Sequence, residues 1–221
     1  MKGNNKGFSL VELLVSFAIL GLVSTIIMGI TVSGTNMFNR NKKILSLQYK
    51  SQLASNQLHN YLQNCDGALA AGADELWVAR KGESASQGTI YYFSKPDDEN
   101  VIYLRIFDVS VTEDEGVKTT NISYTKSGGG QGNSTAISTA VITDCLAEPL
   151  CSGVTSWSVD VGATDTGVAK YASVILNFEL TGSAYSKNIT ESFRSKPIYV
   201  SADDVAPGSS YPGTIISRIW G

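Results

Sequence analysis

Glu12 is the residue whose setting most demands a chemical reason. It is the only charged side chain in the run FSLVELLVSFAILGLVSTIIMGITV, from Phe8 to Val32. A carboxylate in so apolar a stretch is costly, which makes it a functional candidate by default. It calls for a cation or for polar donors close by. Just upstream, the step Gly7-Phe8 marks where a short basic leader with Lys2 and Lys6 gives way to the apolar run. Other reactive side chains are sparse: one histidine, His59, and three cysteines, Cys65, Cys145 and Cys151, in 221 residues. A zinc centre draws three or four ligands from such residues and carboxylates, and His59 has neither cysteine nor histidine beside it in sequence. The acidic clusters Asp97-Asp98-Glu99, Glu113-Asp114-Glu115 and Asp203-Asp204 do not match a calcium loop and read as solvated turns. The glycine run at 128–130 lacks the ending of a phosphate loop. No cofactor and no metal are expected, and no nucleophile–base constellation of an enzyme emerges.

The elements that must position Glu12 follow from composition. Lys+Arg is 17 and Asp+Glu is 20, a net charge of −3, so no basic excess exists to collect phosphates and no nucleic-acid partner is expected. At 1.5 Å per residue, about 20 helical residues cross a bilayer core, and the run from Phe8 to Val32 exceeds that. Lys2 and Lys6 favour a cytoplasmic N-terminus, whereas Arg40, Lys42 and Lys43 weaken that bias. A secretory signal peptide would have a shorter apolar core and a small-x-small cleavage site. A plain membrane anchor accounts for the length and leaves Glu12 unexplained.

The segment Lys6-Gly7-Phe8-Ser9-Leu10-Val11-Glu12-Leu13 closely resembles the type IV prepilin signature: a basic leader ending in glycine, then phenylalanine, then glutamate four residues on, at the start of a long apolar helix. The resemblance implies cleavage between Gly7 and Phe8 by a membrane prepilin peptidase, removing a seven-residue leader, and N-methylation of Phe8. It implies that the new amine on Phe8 pairs with Glu12 of a neighbouring subunit during assembly. The partners implied are other pilin or pseudopilin subunits, the prepilin peptidase, an assembly ATPase with its membrane platform, and membrane lipid before assembly. Without these neighbours Glu12 would read as a protonated or snorkelling carboxyl.

Five segments are expected: leader 1–7, membrane and filament-core helix 8–32, amphipathic helix 33–69, β-rich head 70–200, and irregular tail 201–221. No proline interrupts residues 8–69. Phe38, Leu45, Tyr49, Leu53, Leu58, Leu62, Cys65 and Leu69 recur mostly at three- to four-residue steps and predict one buried stripe. Major pilins often carry a proline near the position of Gly29, which this chain lacks. Beyond Leu69, β-branched and aromatic runs predict strands at 75–80, 89–94, 101–111, 156–161 and 172–180, weaker ones at 122–124 and 136–143, and one at 189–197 that pairs with 172–180 around Gly182. Turns are expected at 94–100, 127–134 and 163–167. The fold class is α+β, a long N-terminal helix packed on a mainly antiparallel sheet. The strand order over 154–197 is similar to that of J-type minor pseudopilins and W-type minor pilins. In the tail, Pro207 and Pro212 argue for irregular chain, while 214–220 has the apolar content to dock on the head or to meet another subunit through Trp220.

A head outside the membrane lies where disulfides persist. Cys145 and Cys151 flank a five-residue loop and are the first choice for a bridge, with a bridge from Cys65 to the head as the competing connectivity. The function expected is that of a minor structural subunit, not an enzyme. It would be held in the cytoplasmic membrane by one helix with its head outside, and then drawn into a type IV pilus or a type II secretion-like filament, at the tip or in initiation. The rivals are a major shaft pilin and a membrane-anchored binding or adhesive domain that never polymerises.

Overall fold

The computed structural model describes residues 9–71, 74–180, 183–193, 196–200 and 210–221. The fold is α+β: one long N-terminal helix, α1 (Leu10–Gln63), followed by a mainly antiparallel β head. The chain divides into two units, residues 1–46 and 47–221.

In the first unit the side chains of α1 are exposed almost throughout, including Leu10, Phe17, Leu20, Ile26, Met28, Ile30 and Phe38. Several hydroxyls of this stretch bond back to the helix itself. Ser16 donates to Glu12 O at 2.7 Å, Ser24 to Leu20 O at 2.7 Å, Thr31 to Ile27 O at 2.8 Å and Thr35 to Thr31 O at 2.8 Å. Each of these hydroxyls thus has a partner without water, as an apolar solvent requires.

In the second unit α1 buries Ser51, Ala54, Leu58 and Leu62. The expected stripe is corrected: Tyr49 and Leu53 are exposed here, as Leu45 is in the first unit. The small residues Ser51 and Ala54 take the upper contacts because they let the helix approach closely. The helix also ends at Gln63 rather than Leu69, because Gly67–Ala71 forms β1. Cys65 follows it into the core.

Among the described residues the head contains two sheets. The larger joins β1 with β2 (Glu75–Lys81), β3 (Gln87–Ser94), β4 (Val101–Asp114), β5 (Val117–Thr125) and β6 (Gln131–Ser134) as successive antiparallel neighbours. Further along the chain, β7 (Glu148–Ser152) pairs with the start of β4, and β11 (Ile198–Tyr199) lies parallel to β1. The smaller sheet has the order β10-β9-β8, from β8 (Val154–Ala163), β9 (Ala169–Leu180) and β10 (Ser183–Ser192). One core lies among the end of α1, one face of the larger sheet (Leu76, Val78, Phe93, Ile102, Leu104) and the smaller sheet (Trp157, Val159, Val174, Leu176, Phe178). A second core covers the opposite face of the larger sheet with Trp77, Ile90, Tyr92, Phe107 and Ile122. Burial on both faces explains why Leu76-Trp77-Val78-Ala79 shows no polar alternation. Trp77 and Tyr92, directly opposite across β2 and β3, stack at 4.0 Å.

Four further expectations change. Residues 136–143 were expected as a strand, yet Thr139–Asp144 is a short helix, α2. Ser138 caps it, accepting from Val141 N at 3.4 Å, and Val141 enters the second core; the cap and that burial override the β preference of Val141 and Ile142. The last strand of the smaller sheet begins at Ser183, six residues earlier than expected, and the stretch 127–134 contains β6 as well as a turn. The tail is not irregular throughout: Tyr211–Trp220 is helix α3. Ser210 caps it by accepting from Gly213 N at 3.3 Å, and Pro212 sits in the first turn, where a missing N–H costs nothing. Ile215, Ile216, Ile219 and Trp220 then form the apolar face that closes the second core. Two glycines make room for it. A Cβ on Gly67 would lie 2.3 Å from Ile219 Cδ1, and one on Gly88 would lie 2.3 Å from Arg80 O and 2.4 Å from the Trp220 ring.

Candidate assembly segment

The candidate site is the start of α1. Ser9 precedes the first helical residue, and its carbonyl accepts the first intrahelical bond, from Leu13 N at 3.2 Å. Glu12 stands in the first turn and is exposed. Its Oε2 accepts a hydrogen bond from Ser9 N at 3.1 Å. A carboxylate is favoured there by the positive end of the helix dipole. Around it Leu10, Val11, Leu13 and Leu14 are exposed, so the acid stands at one end of an uninterrupted apolar surface. Gly7 and Phe8, the expected cleavage and methylation positions, lie outside the described residues. The Ser9 partner of Glu12 was not foreseen, although the spacing Ser9-x-x-Glu12 is that of a helix capping box.

The cysteines do not form the expected pair. Cys145 lies in the second core, with Sγ 3.7 Å from Ile106 O. Cys151 lies in the first core, with Sγ 3.8 Å from Lys50 O. The larger sheet separates the two, so a Cys145–Cys151 bridge is absent. Cys65 is fully buried. Burial, with Asp66 adding to it, pushes its thiol up to about 12 from an ordinary value of 9.0. The folded state therefore holds this proton more tightly than the unfolded chain does. The stability it contributes is complete below pH 9 and is lost as pH rises toward 12. Denaturant titrations of the full chain in detergent should show stability falling over that window by up to about 4 kcal/mol. Cys65→Ala should remove this part of the slope, and an unchanged slope would contradict the assignment.

His59, expected on the polar side of the helix, meets Glu191 of β10 across 2.6 Å, Nδ1 to Oε2, and ties α1 to the smaller sheet. Among the described residues no three His, Cys, Asp or Glu side chains converge as metal ligands would. Asp203 and Asp204 lie outside the described residues.

Residues 2–28 match the family model described as the prokaryotic N-terminal methylation motif. No curated protein and no solved structure matches the chain. The stretch matched contains Gly7, Phe8 and Glu12 together with most of the exposed apolar part of α1. This motif is a signature of type IV pilins, and with the long apolar helix and the antiparallel head it supports a pilin-like class for the chain, a structural substrate of prepilin peptidase.

Proposed function

We propose that the chain is a minor pilin or pseudopilin, a non-enzymatic subunit of a type IV pilus or a type II secretion-like filament. Prepilin peptidase cuts between Gly7 and Phe8, and Phe8 is N-methylated. The subunit waits in the cytoplasmic membrane, crossing it once with its N-terminus inside and its head outside. A separate ATPase and its platform then drive it into the filament, where the Phe8 amine of one subunit meets Glu12 of the next. The observation that carries this reading is the first unit of the structure. Its helix is long and apolar enough to cross a membrane, and Glu12 is the only charge on it before Arg40. Such a surface needs lipid or other helices around it.

The minor role, at the tip or in initiation, is favoured by the size of the head and by the similarity of 154–197 to J-type and W-type subunits. Quantifying subunits in sheared filaments tests it. The chain should be present at a small fraction of the shaft subunit. A chain that dominates by mass is the shaft itself, and one missing from the filament fraction is an anchored domain that does not polymerise.

A further inference from the structure

We propose that Arg40, Lys42 and Lys43 form a collar on α1 that binds the phosphates of anionic phospholipids at the outer face of the membrane. The collar presupposes the single membrane crossing given above and adds the lipid class that the crossing selects. α1 is one continuous helix from Leu10 to Gln63, and Arg40 stands thirty residues beyond Leu10. At 1.5 Å per residue that is about 45 Å, the thickness of a bilayer with its headgroup layers. With the helix start at one headgroup layer, Arg40, Lys42 and Lys43 therefore reach the other. Met37 and Phe38 come just before them, both exposed, and supply apolar surface at the boundary between tails and headgroups.

All three basic side chains are exposed. The only acidic residue of the first unit is Glu12, about 42 Å back along the helix, so nothing in that unit neutralises them. Their spacing decides the occupant. Residues three apart lie side by side on a helix, whereas residues two apart point to nearly opposite sides. Arg40 and Lys43 thus share one side, and Lys42 points to the other. An acidic cluster on a neighbouring head would meet one side only, whereas lipid surrounds the helix and meets both. The long stems keep their methylenes against apolar surface while the charges reach the phosphate layer. Each Lys or Arg at an anionic membrane surface contributes about a fivefold preference. Under the cleavage reading the leader takes Lys2 and Lys6 with it. The collar is then the only basic side-chain flank of the span, and it sets the depth at which the processed subunit waits.

Electron paramagnetic resonance with spin-labelled lipid reads the collar directly. The full chain is reconstituted into phosphatidylcholine bilayers, and the motionally restricted fraction is compared for spin-labelled phosphatidylglycerol and spin-labelled phosphatidylcholine. The parent chain should select phosphatidylglycerol by at least about threefold at low salt, and the selectivity should shrink as salt rises. The triple variant Arg40→Gln, Lys42→Gln, Lys43→Gln changes only exposed positions and keeps good helix formers. It should bring the ratio close to one. A ratio near one in the parent, or the parent's ratio in the triple variant, overturns the proposal. Where the parent shows no preference and the triple variant still loses filament entry, the occupant is an acidic protein surface and the lipid collar is refuted. Failure of the single-crossing reading looks different: neither lipid is restricted and an alkaline wash releases the chain from the bilayer, which overturns both.

Discussion

Glu12→Ala is expected to leave the chain membrane-bound and cleaved at Gly7–Phe8 but to lower its entry into filaments by at least about tenfold. Two unit charges about 4 Å apart attract by roughly 4 kcal/mol at an effective dielectric near 20. Desolvation offsets part of that, and about 1.5–3 kcal/mol is typical of the net value of a hydrogen bond to a charged group. This corresponds to about one to two orders of magnitude in an equilibrium. Processing should survive, because the substitution lies beyond the Gly7–Phe8 bond and leaves the apolar run intact. Quantifying the mature protein in membranes and in sheared filaments from cells expressing both forms checks it. Parental incorporation would remove Glu12 from the mechanism.

Trp220→Ala should destabilise the head by about 3–5 kcal/mol, the cost of emptying a buried aromatic site. The Trp220 side chain is buried against the larger sheet and donates from Nε1 to Gln87 O at 3.3 Å. Its ring lies where a Cβ on Gly88 would have to go. With Ile215, Ile216 and Ile219 it covers the face that carries Trp77, Ile90 and Phe107. Small domains hold only about 5–15 kcal/mol in all, so this single truncation would remove a large share. Urea titration of the full chain in detergent, parent against variant, measures it. A change below about 1 kcal/mol would mean that α3 is not a structural part of the head.

The two predictions differ in how far the sequence foretold them. The expectation for Glu12 came from one charge in an apolar run, four residues after a Gly-Phe step, and the structure places that residue exposed in the first turn of α1. The α+β class was legible because apolar residues switch from an unbroken run to β-branched and aromatic clusters near residue 70. The docking of α3 was legible only in part. Pro207 and Pro212 suggested irregular chain, yet Ser210 before Pro212 and the run Ile215-Ile216-x-x-Ile219-Trp220 together make a capped amphipathic helix. The stripe on α1 was misjudged at Leu53 because periodicity locates large apolar residues, whereas the contact is made by Ala54 and Ser51. Which face of the larger sheet each cysteine joins depends on where α2 and β7 begin, and Cys145 lies in neither element. That is tertiary information, and a short sequence separation between Cys145 and Cys151 did not supply it.

The pairing of Glu12 requires a free amine at Phe8. Mass spectrometry of the N-terminal peptide from the membrane-bound and filament fractions reads that group directly. The peptide should begin at Phe8 and carry one methyl group on its nitrogen, and cells without the prepilin peptidase should yield a chain that still contains Lys2 and Lys6. A working form that begins at Met1 would place no amine at Phe8 and would contradict the account at its root.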